Sequence, residues 1–360
     1  MGIKNLTKFL SEKYPEVFDR GVKMEEYARE KIAIDTAIFM CKFKAVNSDA
    51  WMDSFVALVV WMRKANTHPI FVLDTGMPAE KAAEKRKRAE TRKRQLDRIR
   101  QLEVDIETYT VSSDKSQLLQ DTYDKETKNG GGAGRRRLLL LAPSQQSSFD
   151  ISVVKEKLKR MKKHMFTITP KDYDNLKLLL DVLKVPWILA PDEAEKECAR
   201  MVRHGEAAAV LSEDSDCLAY QSPTFLCKPD FYSNTMRRVS FDKLLNTIDM
   251  TPNQFVDFCI MCGTDYNPNI RGLGVCKSFN LMQKFKAIEH LPDKIDVSVL
   301  NHEGSRALFS IPDKDETKKQ SSLFTGTPDE KELAQFFFTH NIRTDTRAVF
   351  DAMKSTTPDI

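Results

Sequence analysis

Four short apolar runs, each ending in or closely followed by acidic residues, constrain this chain more than any other feature. The runs are KIAID (31–35), HPIFVLD (68–74), VPWILAPDEAE (185–195) and AAAVLSEDSD (207–216). Short, partly β-branched apolar runs that alternate with helical patterns, such as 51–65 and 171–184, are typical of buried parallel strands. The sequence therefore predicts an α/β fold with a central, mostly parallel sheet flanked by helices.

Six acidic residues fall at or just past the carboxyl ends of these predicted strands. They are Asp35, Asp74, Glu193, Glu195, Asp214 and Asp216. In an open parallel sheet these strand ends share one edge, where ligands bind. Any one of the acids alone would more often cap a helix or carry a loop's charge. Six acids in one topological position instead predict a ligand-binding site. Two carboxylates about 4 Å apart repel by ~4 kcal/mol at an effective dielectric near 20, so this site needs cations.

The ligand types of this acidic cluster indicate which cation it would bind. Hard oxygen ligands without histidine or thiolate partners select Mg²⁺ or Mn²⁺. Six carboxylates are more than one such ion needs, and two ions ~3.5–4 Å apart are the arrangement used to hydrolyse phosphodiesters. We therefore expect two Mg²⁺ ions, for which Mn²⁺ can substitute.

A strongly basic stretch follows the second predicted strand. Residues 81–100 contain ten Lys/Arg and three Asp/Glu, with no Gly or Pro, which predicts a long basic helix. Lys81 and Arg88 are seven residues apart and so share one face of that helix, close in sequence to Asp74. A charge run alone is usually a solvated face, but beside a carboxylate cluster it favours nucleic-acid binding.

The chain beyond this basic stretch looks less ordered. A second basic helix is predicted at 151–164, while the polar middle at about 105–150, with its NGGGAGRRR segment (129–137), is predicted to be mobile or disordered.

The region after residue 250 has a different pattern. TPNQFVDFCIMCGTDY (251–266) predicts a helix that begins at Thr251 and Pro252 and ends at Gly263. The Gly272-Leu273-Gly274 turn then opens another helix and offers backbone amides to phosphate. The cysteines at 259 and 262 have no second pair at zinc spacing and are interpreted as buried thiols.

The bulk composition limits the compartment and the number of domains. The 360 residues allow one large domain or two modest ones. No apolar stretch of ~18 residues exists, so no membrane contact is expected. Seven scattered cysteines predict a reducing, intracellular compartment.

Several motifs taken together resemble the flap endonuclease family, the structure-specific 5′-nucleases that include the xeroderma pigmentosum group G nuclease. The motifs are MGIKNL, KIAIDTAIF, FVLDTGMP, APDEAEKECA, LSEDSDCLAY and CIMCGTDYNPNIRGLG. The resemblance covers about residues 1–110 and 165–340. It implies a PIN-like nuclease core, a basic helical arch insertion and a C-terminal helix–turn–helix DNA-binding element.

The resemblance also implies residue roles. The family's seven metal-binding carboxylates match Asp35, Asp74, Glu193, Glu195, Asp214, Asp216 and Asp265, the last of which the strand-end pattern does not predict. Lys81 and Arg88 match the arch residues that steer the scissile phosphate. The helix–turn–helix element, which grips duplex DNA and often binds K⁺, matches the region around Ile270, Gly272 and Gly274. The DNA-contacting positions expected are Gly2, Arg271, Gly272, Gly274 and Lys277.

The chain departs from the family in two motifs. Cys41 occupies the position of the family's base-stacking tyrosine, so stacking is expected to be weaker or to come from Phe39 or Phe43. QSSLFTGT (320–327) begins like a sliding-clamp peptide but lacks its aromatic residues, so clamp binding is not expected.

The predicted organisation and function follow from these observations. The expected regions are 1–104 (nuclease, with the start of the arch), 105–165 (extended arch and flexible insertion), 166–250 (internal nuclease), 251–345 (helix–turn–helix) and 346–360 (short tail). The expected protein is a monomeric Mg²⁺-dependent endonuclease that cuts 5′ flaps or other branched DNA during replication or repair. It would act in the nucleus or another site of DNA replication, and 5′-exonuclease activity stays open.

Two alternatives remain at this point. One is a catalytically silent DNA-binding scaffold with the same fold. The other is a metal-dependent glycosyltransferase that uses the D-x-D string formed by Asp214 and Asp216 to hold a sugar nucleotide.

Overall fold

One seven-stranded sheet organises most of the chain. The computed structural model describes residues 2–75, 81–129, 149–163, 165–312 and 323–354. The strands are β1 (Phe18–Val22), β2 (Lys31–Asp35), β3 (His68–Asp74), β4 (Trp187–Ala190), β5 (Ala209–Leu211), β6 (Thr224–Asp230) and β7 (Thr235–Ser240). They lie in the order β1-β7-β6-β5-β2-β3-β4. The pairs from β6 through β4 are all parallel, and β7 is antiparallel to both β6 and β1. The predicted mostly parallel α/β sheet is confirmed.

Fifteen α-helices lie in the described residues. They are α1 (Leu6–Lys13), α2 (Thr36–Val46), α3 (Trp51–Lys64), α4 (Ala82–Ser112), α5 (Gln117–Asn129), α6 (Ile151–Lys163), α7 (Pro170–Val182), α8 (Ala194–Arg203), α9 (Asp216–Ala219), α10 (Phe241–Ile248), α11 (Pro252–Cys262), α12 (Val275–Phe285), α13 (His302–Phe309), α14 (Glu330–Thr339) and α15 (Thr346–Lys354). No helix of this described part is long and apolar enough to cross a bilayer.

Side chains of the central strands alternate between two apolar layers. In β2, Ile32 and Ile34 enter one buried cluster, whereas Ala33 enters the other. Successive strand residues point to opposite faces, so a strand covered on both faces is apolar throughout. This burial explains why these strands appear in the sequence as short continuous apolar runs, and it leaves their carboxyl ends as the polar edge.

The helix after residue 250 begins and ends as predicted. The Thr251 hydroxyl accepts from the Gln254 backbone N–H at 3.3 Å, and the Gln254 side chain accepts from the Thr251 N–H at 3.0 Å, which forms a capping box. Gly263 ends the helix with a φ of +90°. Gly274 caps the start of α12, so the second predicted helix is also confirmed.

The chain divides into two compact units, Met1–Glu84 with Ile168–Ile360, and Lys85–Thr167. The second unit contains nearly all of α4 together with α5 and α6 around a small apolar core. That core consists of Leu102, Ile106, Leu119, Tyr123 and Val154. The five domain boundaries expected from sequence stay a prediction.

The prediction of disorder at 105–150 is wrong for its first half, because residues 105–129 lie almost entirely in α4 and α5. Ile106 is four residues after Leu102, and Tyr123 is four after Leu119, so each helix has an apolar stripe that the other can bury. Asp105 also accepts from Ser116, which joins the two helices. Residues 130–148 lie outside the described residues.

The described part of the QSSLFTGT segment packs on the starts of two central strands. The Phe324 ring meets His68 edge to face with centroids 5.0 Å apart, and the Lys31 ammonium lies 4.3 Å from its centre. The Thr325 backbone N–H donates to His68 Nδ1 at 3.4 Å. The absence of clamp binding stays a prediction.

Candidate active site

The carboxyl edge of the sheet brings the acids from separate strands together. Asp35 ends β2, Asp74 ends β3, and Glu193 and Glu195 follow β4. Asp214 and Asp216 follow β5, and Asp265 lies in the loop after α11. Each of the seven interacts electrostatically with another member or with Lys81. The cluster predicted from strand ends therefore exists, and the loop after α11 adds the seventh acid.

Asp35 and Asp74 are held by hydrogen bonds that tie neighbouring segments together. Asp35 Oδ2 accepts from the Ser212 hydroxyl at 2.7 Å, and Asp35 Oδ1 accepts from the Ile38 backbone N–H at 3.5 Å at the start of α2. Asp74 Oδ1 accepts from the Ala194 backbone N–H at 2.7 Å at the start of α8. Both carboxylates are thus oriented by the first turns of helices, where negative charge is stabilised.

Two tyrosine hydroxyls support the Glu193 carboxylate. Its Oε2 accepts from the Tyr220 hydroxyl at 2.9 Å and from the Tyr266 hydroxyl. Its Oε1 pairs with the Lys81 ammonium, which also lies 3.8 Å from Asp265 Oδ2. Lys81 is therefore a cation inside the cluster, with a side chain only 10% exposed.

Asp214, Asp216 and Gly2 meet at the end of β5. Asp214 Oδ1 accepts from the Asp216 backbone N–H at 3.0 Å. Asp216 Oδ1 and the Ser215 hydroxyl are buried and have no hydrogen-bond partner among the described residues. Gly2 has a φ of +83°, and a Cβ at this position would overlap Asp214 Oδ1 and lie 2.9 Å from Asp216 Oδ1. The chain therefore approaches the two aspartates as closely as a residue without a side chain allows.

Burial of several like charges shifts the ionisation of this cluster. Burial, reinforced by Asp214 and Asp74, raises the pKa of Asp35 to about 7 despite the hydrogen bond from Ser212. Burial also raises the carboxyl pKa of Asp74, Glu195, Asp214 and Asp216. For Lys81, burial acts to lower the pKa, but Glu195 and Glu193 outweigh it and the pKa is raised. The site therefore favours positive charge and disfavours more than a few ionised carboxylates at once.

The residues fit divalent cations by two observations. The donors are carboxylate oxygens, which suit Mg²⁺ or Mn²⁺, and the buried Asp216 Oδ1 lacks any donor from the described chain. Within the described ranges, no group of three or more His, Cys, Asp or Glu residues is already arranged around a single ion position. Lys81 instead balances part of the negative charge, so ion binding would displace its ammonium from the carboxylates it pairs with.

The comparisons with known proteins agree with this geometry. The family model of the XPG N-terminal domain matches residues 1–95, and that of the XPG I-region matches residues 184–265. Probable RAD2-like endonuclease 369L of Invertebrate iridescent virus 6 is 34% identical, over 86% of this chain and 79% of that protein. Probable RAD2-like endonuclease 076L of Invertebrate iridescent virus 3 is 33% identical, over 94% of each chain.

The chain belongs to the XPG/flap endonuclease family. Flap endonuclease 1 of Glycine max is 26% identical, over 95% of this chain and 83% of that protein. The fold also matches the catalytic core of Rad2 in complex with DNA substrate, with a TM-score of 0.64 and 15% identity over 98% of this chain and 100% of that one. Flap endonuclease-1 from Methanococcus jannaschii matches with a TM-score of 0.59 and 17% identity, over 95% and 96% of the two chains. As a family member, the protein is a phosphodiester-hydrolysing nuclease, and nucleases of this family depend on metal ions.

Several residues near the XPG-family motifs lie outside the acidic cluster. Glu213, interpreted as a bystander in the SEDSD motif, pairs with Lys42 at 2.7 Å. Arg88 lies on α4 in the second unit, and its part in the site stays a prediction. Cys259 and Cys262 are buried on α11, as predicted.

The suggestion that Phe39 or Phe43 replaces the family's stacking tyrosine is wrong. Phe39 is fully buried and Phe43 is 5% exposed, and the two rings pack against each other with centroids 5.7 Å apart. Both point into the apolar layer because α2 must cover the sheet with that face. Neither ring can meet a nucleobase without unpacking the core.

The helix–turn–helix element of this nuclease presents an open backbone. Gly272 has a φ of +81°, and a Cβ at either Gly272 or Gly274 would meet nothing within 4 Å. Arg271 and Lys277 are exposed, and the Lys277 ammonium donates to the Gly272 carbonyl at 3.2 Å. These positions leave room for a phosphate backbone, and DNA contact there stays a prediction.

Sequence reasoning missed the tyrosines around the cluster. Tyr220 and Tyr266 donate to Glu193, and Tyr173 on α7 lies near Asp74 and Cys41. Burial, followed by Asp74 and Cys41, raises the pKa of Tyr173. Tyr220 and Tyr266 do follow Asp216 and Asp265 closely in sequence, but spacing alone gives no direction for a hydroxyl.

The raised carboxyl pKa values predict how pH acts on the protein without divalent cations. Between its unfolded pKa near 4 and about 7, Asp35 is protonated in the folded protein but ionised in the unfolded chain. The folded state then binds more protons, so this contribution to stability is present below about pH 4 and is lost as the pH rises through about 7. In EDTA, we expect the carboxylate contribution to the melting temperature to fall as the pH rises from about 5.5 to about 8.

Cations should offset that loss, because carboxylate ligands bind them only when deprotonated. Mg²⁺ should raise the melting temperature more at about pH 8 than at about pH 5.5 in scanning fluorimetry. Comparing Mg²⁺ with EDTA at each pH largely cancels groups away from the cluster, such as His68, whose pKa burial lowers to about 4. An equal Mg²⁺ effect at both pH values would contradict the prediction.

Proposed function

We infer that this nuclease is a Mg²⁺-dependent, structure-specific DNA endonuclease that cuts 5′ flaps or related junctions in DNA replication or repair, using two divalent ions for which Mn²⁺ can substitute. The observation that carries the proposal is the convergence of seven carboxylates and one buried lysine at the carboxyl edge of the sheet. A charge cluster of this kind needs cations, and two-metal phosphodiester hydrolysis places cations beside the scissile phosphate.

The residues of the site would have two roles, binding metal ions and stabilising charge on the phosphate. Asp35, Asp74, Glu193, Glu195, Asp214, Asp216 and Asp265 would hold the ions. When bound, the ions supply Lewis-acid stabilisation of the phosphoryl oxygens and lower the pKa of water at the site. The first turns of α2 and α8 keep Asp35 and Asp74 in fixed orientations, so little reorganisation is left to the reaction itself.

Lys81 would stabilise negative charge on the scissile phosphate. Its ammonium lies between Glu193 and Asp265, and the raised pKa keeps it protonated. Once cations neutralise the carboxylates, its N–H groups are available to phosphate oxygens. Loss of one such donor costs about 10²–10³-fold in rate in other enzymes.

Lys81→Ala is therefore expected to slow single-turnover cleavage of 5′-flap DNA by about 10²-fold. Quenched-flow kinetics at saturating protein would measure this rate separately from affinity. Lys42→Ala is the matched control, since Lys42 pairs with the bystander Glu213, and it should cleave at nearly the normal rate. If Lys81→Ala weakened DNA binding alone and left the single-turnover rate intact, Lys81 would be a binding residue only.

Each unit has its own candidate DNA-binding surface. In the second unit, the first half of α4 exposes a run of cations that includes Lys85, Arg86, Lys87 and Arg88, which suits the backbone of a single-stranded flap. In the first unit, the turn at Gly272 and Gly274 leaves room for the backbone of duplex DNA. A K⁺ ion is a further candidate for binding at this turn. The DNA-bound Rad2 core, a structural neighbour, supports this class of substrate.

Family membership removes the sugar-nucleotide alternative. The silent-scaffold alternative is weakened by the presence of all seven carboxylates in one cluster, together with Lys81. A nuclease assay on branched DNA with Mg²⁺ and with EDTA separates the enzyme from the scaffold. Binding without cleavage under both conditions would favour the scaffold.

A further inference from the structure

Three aromatic residues that are distant from Glu193 in the sequence form a packed group beside its carboxylate. Tyr220 follows α9, Tyr266 lies after α11, and Phe309 ends α13. The Phe309 ring meets Tyr220 and Tyr266 edge to face, with centroid distances of 5.2 and 5.4 Å. The two hydroxyls lie 2.6 Å apart, and both reach the same carboxylate oxygen of Glu193. Packing thus fixes both rings, and through them one edge of the carboxylate.

A proton count limits how this group is bonded. Two hydroxyl protons face three oxygen–oxygen contacts, so only two of the three can be hydrogen bonds at once. Either both tyrosines donate to Glu193 Oε2, or one tyrosine donates to the other, which in turn donates to Glu193. In each arrangement, the Tyr220 hydroxyl strengthens the support of the carboxylate, directly or through Tyr266.

The other oxygen of Glu193 faces the charged side of the site. Oε1 pairs with the Lys81 ammonium, and that ammonium also lies 5.2 Å from the centre of the Tyr266 ring. Fixing Oε2 therefore leaves Oε1 directed toward the position of positive charge in the cluster. A carboxylate with one oxygen already satisfied loses less conformational freedom when it binds a cation.

We propose that Tyr220 and Tyr266 are positioning residues that orient Glu193 for divalent-cation binding, with Phe309 holding their rings. This inference rests on the proposed function, since it concerns the same carboxylate cluster. It predicts that removing one hydroxyl oxygen weakens cation affinity without unfolding the protein, because hydrogen-bond partners of metal ligands commonly contribute 10–100-fold to metal affinity.

The test uses Tyr220→Phe, which keeps the ring and its contact with Phe309. Isothermal titration of the full chain with Mn²⁺, without DNA, should show affinity about 10–100-fold weaker than that of the unmodified protein. The melting temperature in EDTA should stay nearly unchanged. Tyr232→Phe is the matched control, because its side chain is fully exposed in the turn between β6 and β7, and it should bind Mn²⁺ normally.

Cleavage kinetics separate positioning from a purely structural role. For Tyr220→Phe, cleavage should fall most at limiting Mn²⁺ and recover to within about 3-fold at saturating Mn²⁺, as expected when affinity alone is lost. Normal Mn²⁺ affinity, or a cleavage defect that saturating Mn²⁺ does not relieve, would overturn the inference. Should Tyr220→Phe fail to fold, Tyr266→Phe tests the same point. If the unmodified protein bound no Mn²⁺, the proposed function itself would fail, and this inference with it.

Discussion

Asp214→Ala is expected to lower cleavage of 5′-flap DNA by about 10³-fold or more while flap-DNA binding persists. Asp214 is only 5% exposed, lies beside Asp216 and interacts electrostatically with Asp265, so its loss would remove a proposed oxygen ligand from the cluster. A factor of 10³ corresponds to about 4 kcal/mol of lost transition-state stabilisation, which is the range expected for impaired metal catalysis. Single-turnover cleavage and gel-shift binding would measure the two effects.

Two further variants sharpen this test. Asp214→Asn retains an oxygen to accept from the Asp216 backbone N–H, so a comparable loss of cleavage would point to charge rather than local structure. Glu213→Ala is the matched control, since this neighbouring acid pairs with Lys42 outside the cluster, and it should cleave nearly normally. Cleavage by Asp214→Ala at the normal rate in Mg²⁺ would contradict the metal assignment.

Asp214→Asn should stabilise the folded protein although it lowers cleavage. Burial raises the pKa of Asp214, which shows that its charge is unfavourable in the folded protein without cations. In EDTA at about pH 8, Asp214→Asn should therefore melt at a higher temperature than the unmodified protein, as is common where function requires clustered charge.

Gly2→Ala is the second substitution with a large expected effect, a loss of about 10²-fold in cleavage. The added methyl group would overlap Asp214 Oδ1 and approach Asp216 Oδ1 to 2.9 Å, which displaces both carboxylates. Misplacing catalytic groups by about 1 Å can cost about 10²-fold. Steady-state and single-turnover assays on one flap substrate would measure the loss.

Gly205→Ala separates steric intrusion from backbone strain. Gly205 has a φ of +73°, similar to that of Gly2, but a Cβ there meets nothing within 4 Å. Alanine in the left-handed region costs about 1–2 kcal/mol at either position, so any effect of backbone strain alone should appear in both variants. Only Gly2→Ala should lose cleavage. Equal cleavage by the two variants would contradict the steric account of the Gly2→Ala effect.

The acidic cluster was predictable because the topology of a parallel sheet determines where the ends of its strands lie. Asp35 and Asp74 end apolar strands and Asp214 follows one, and the carboxyl ends of parallel strands share one edge. Asp265 follows a helix, not a strand, and only the family resemblance pointed to it. Positions of side-chain hydroxyls such as those of Tyr220 and Tyr266 depend on ring packing against Phe309, which no local pattern encodes.

The outer part of the sheet was missed for a related reason. β1 and β7 carry charged residues such as Asp19, Arg20 and Arg238, so they lack the continuous apolar character of the central strands. Their pairing is supported instead by cross-strand ion pairs, including Arg238 with Asp19 at 3.1 Å. The helices at 105–129 were missed because their apolar residues are few and become buried only against one another.

Cleavage of end-labelled branched DNA tests the central claim most directly. A 5′-flap substrate, the corresponding nicked duplex and the single strand of the same sequence would be incubated with the full chain in Mg²⁺ or EDTA, and the cut positions mapped. The cluster of carboxylates with Lys81, and separately the exposed cations of the second unit, predict cutting near the base of the flap in Mg²⁺ and none in EDTA. Failure to cut any junction in Mg²⁺ or Mn²⁺, or cutting that persists in EDTA, would contradict it.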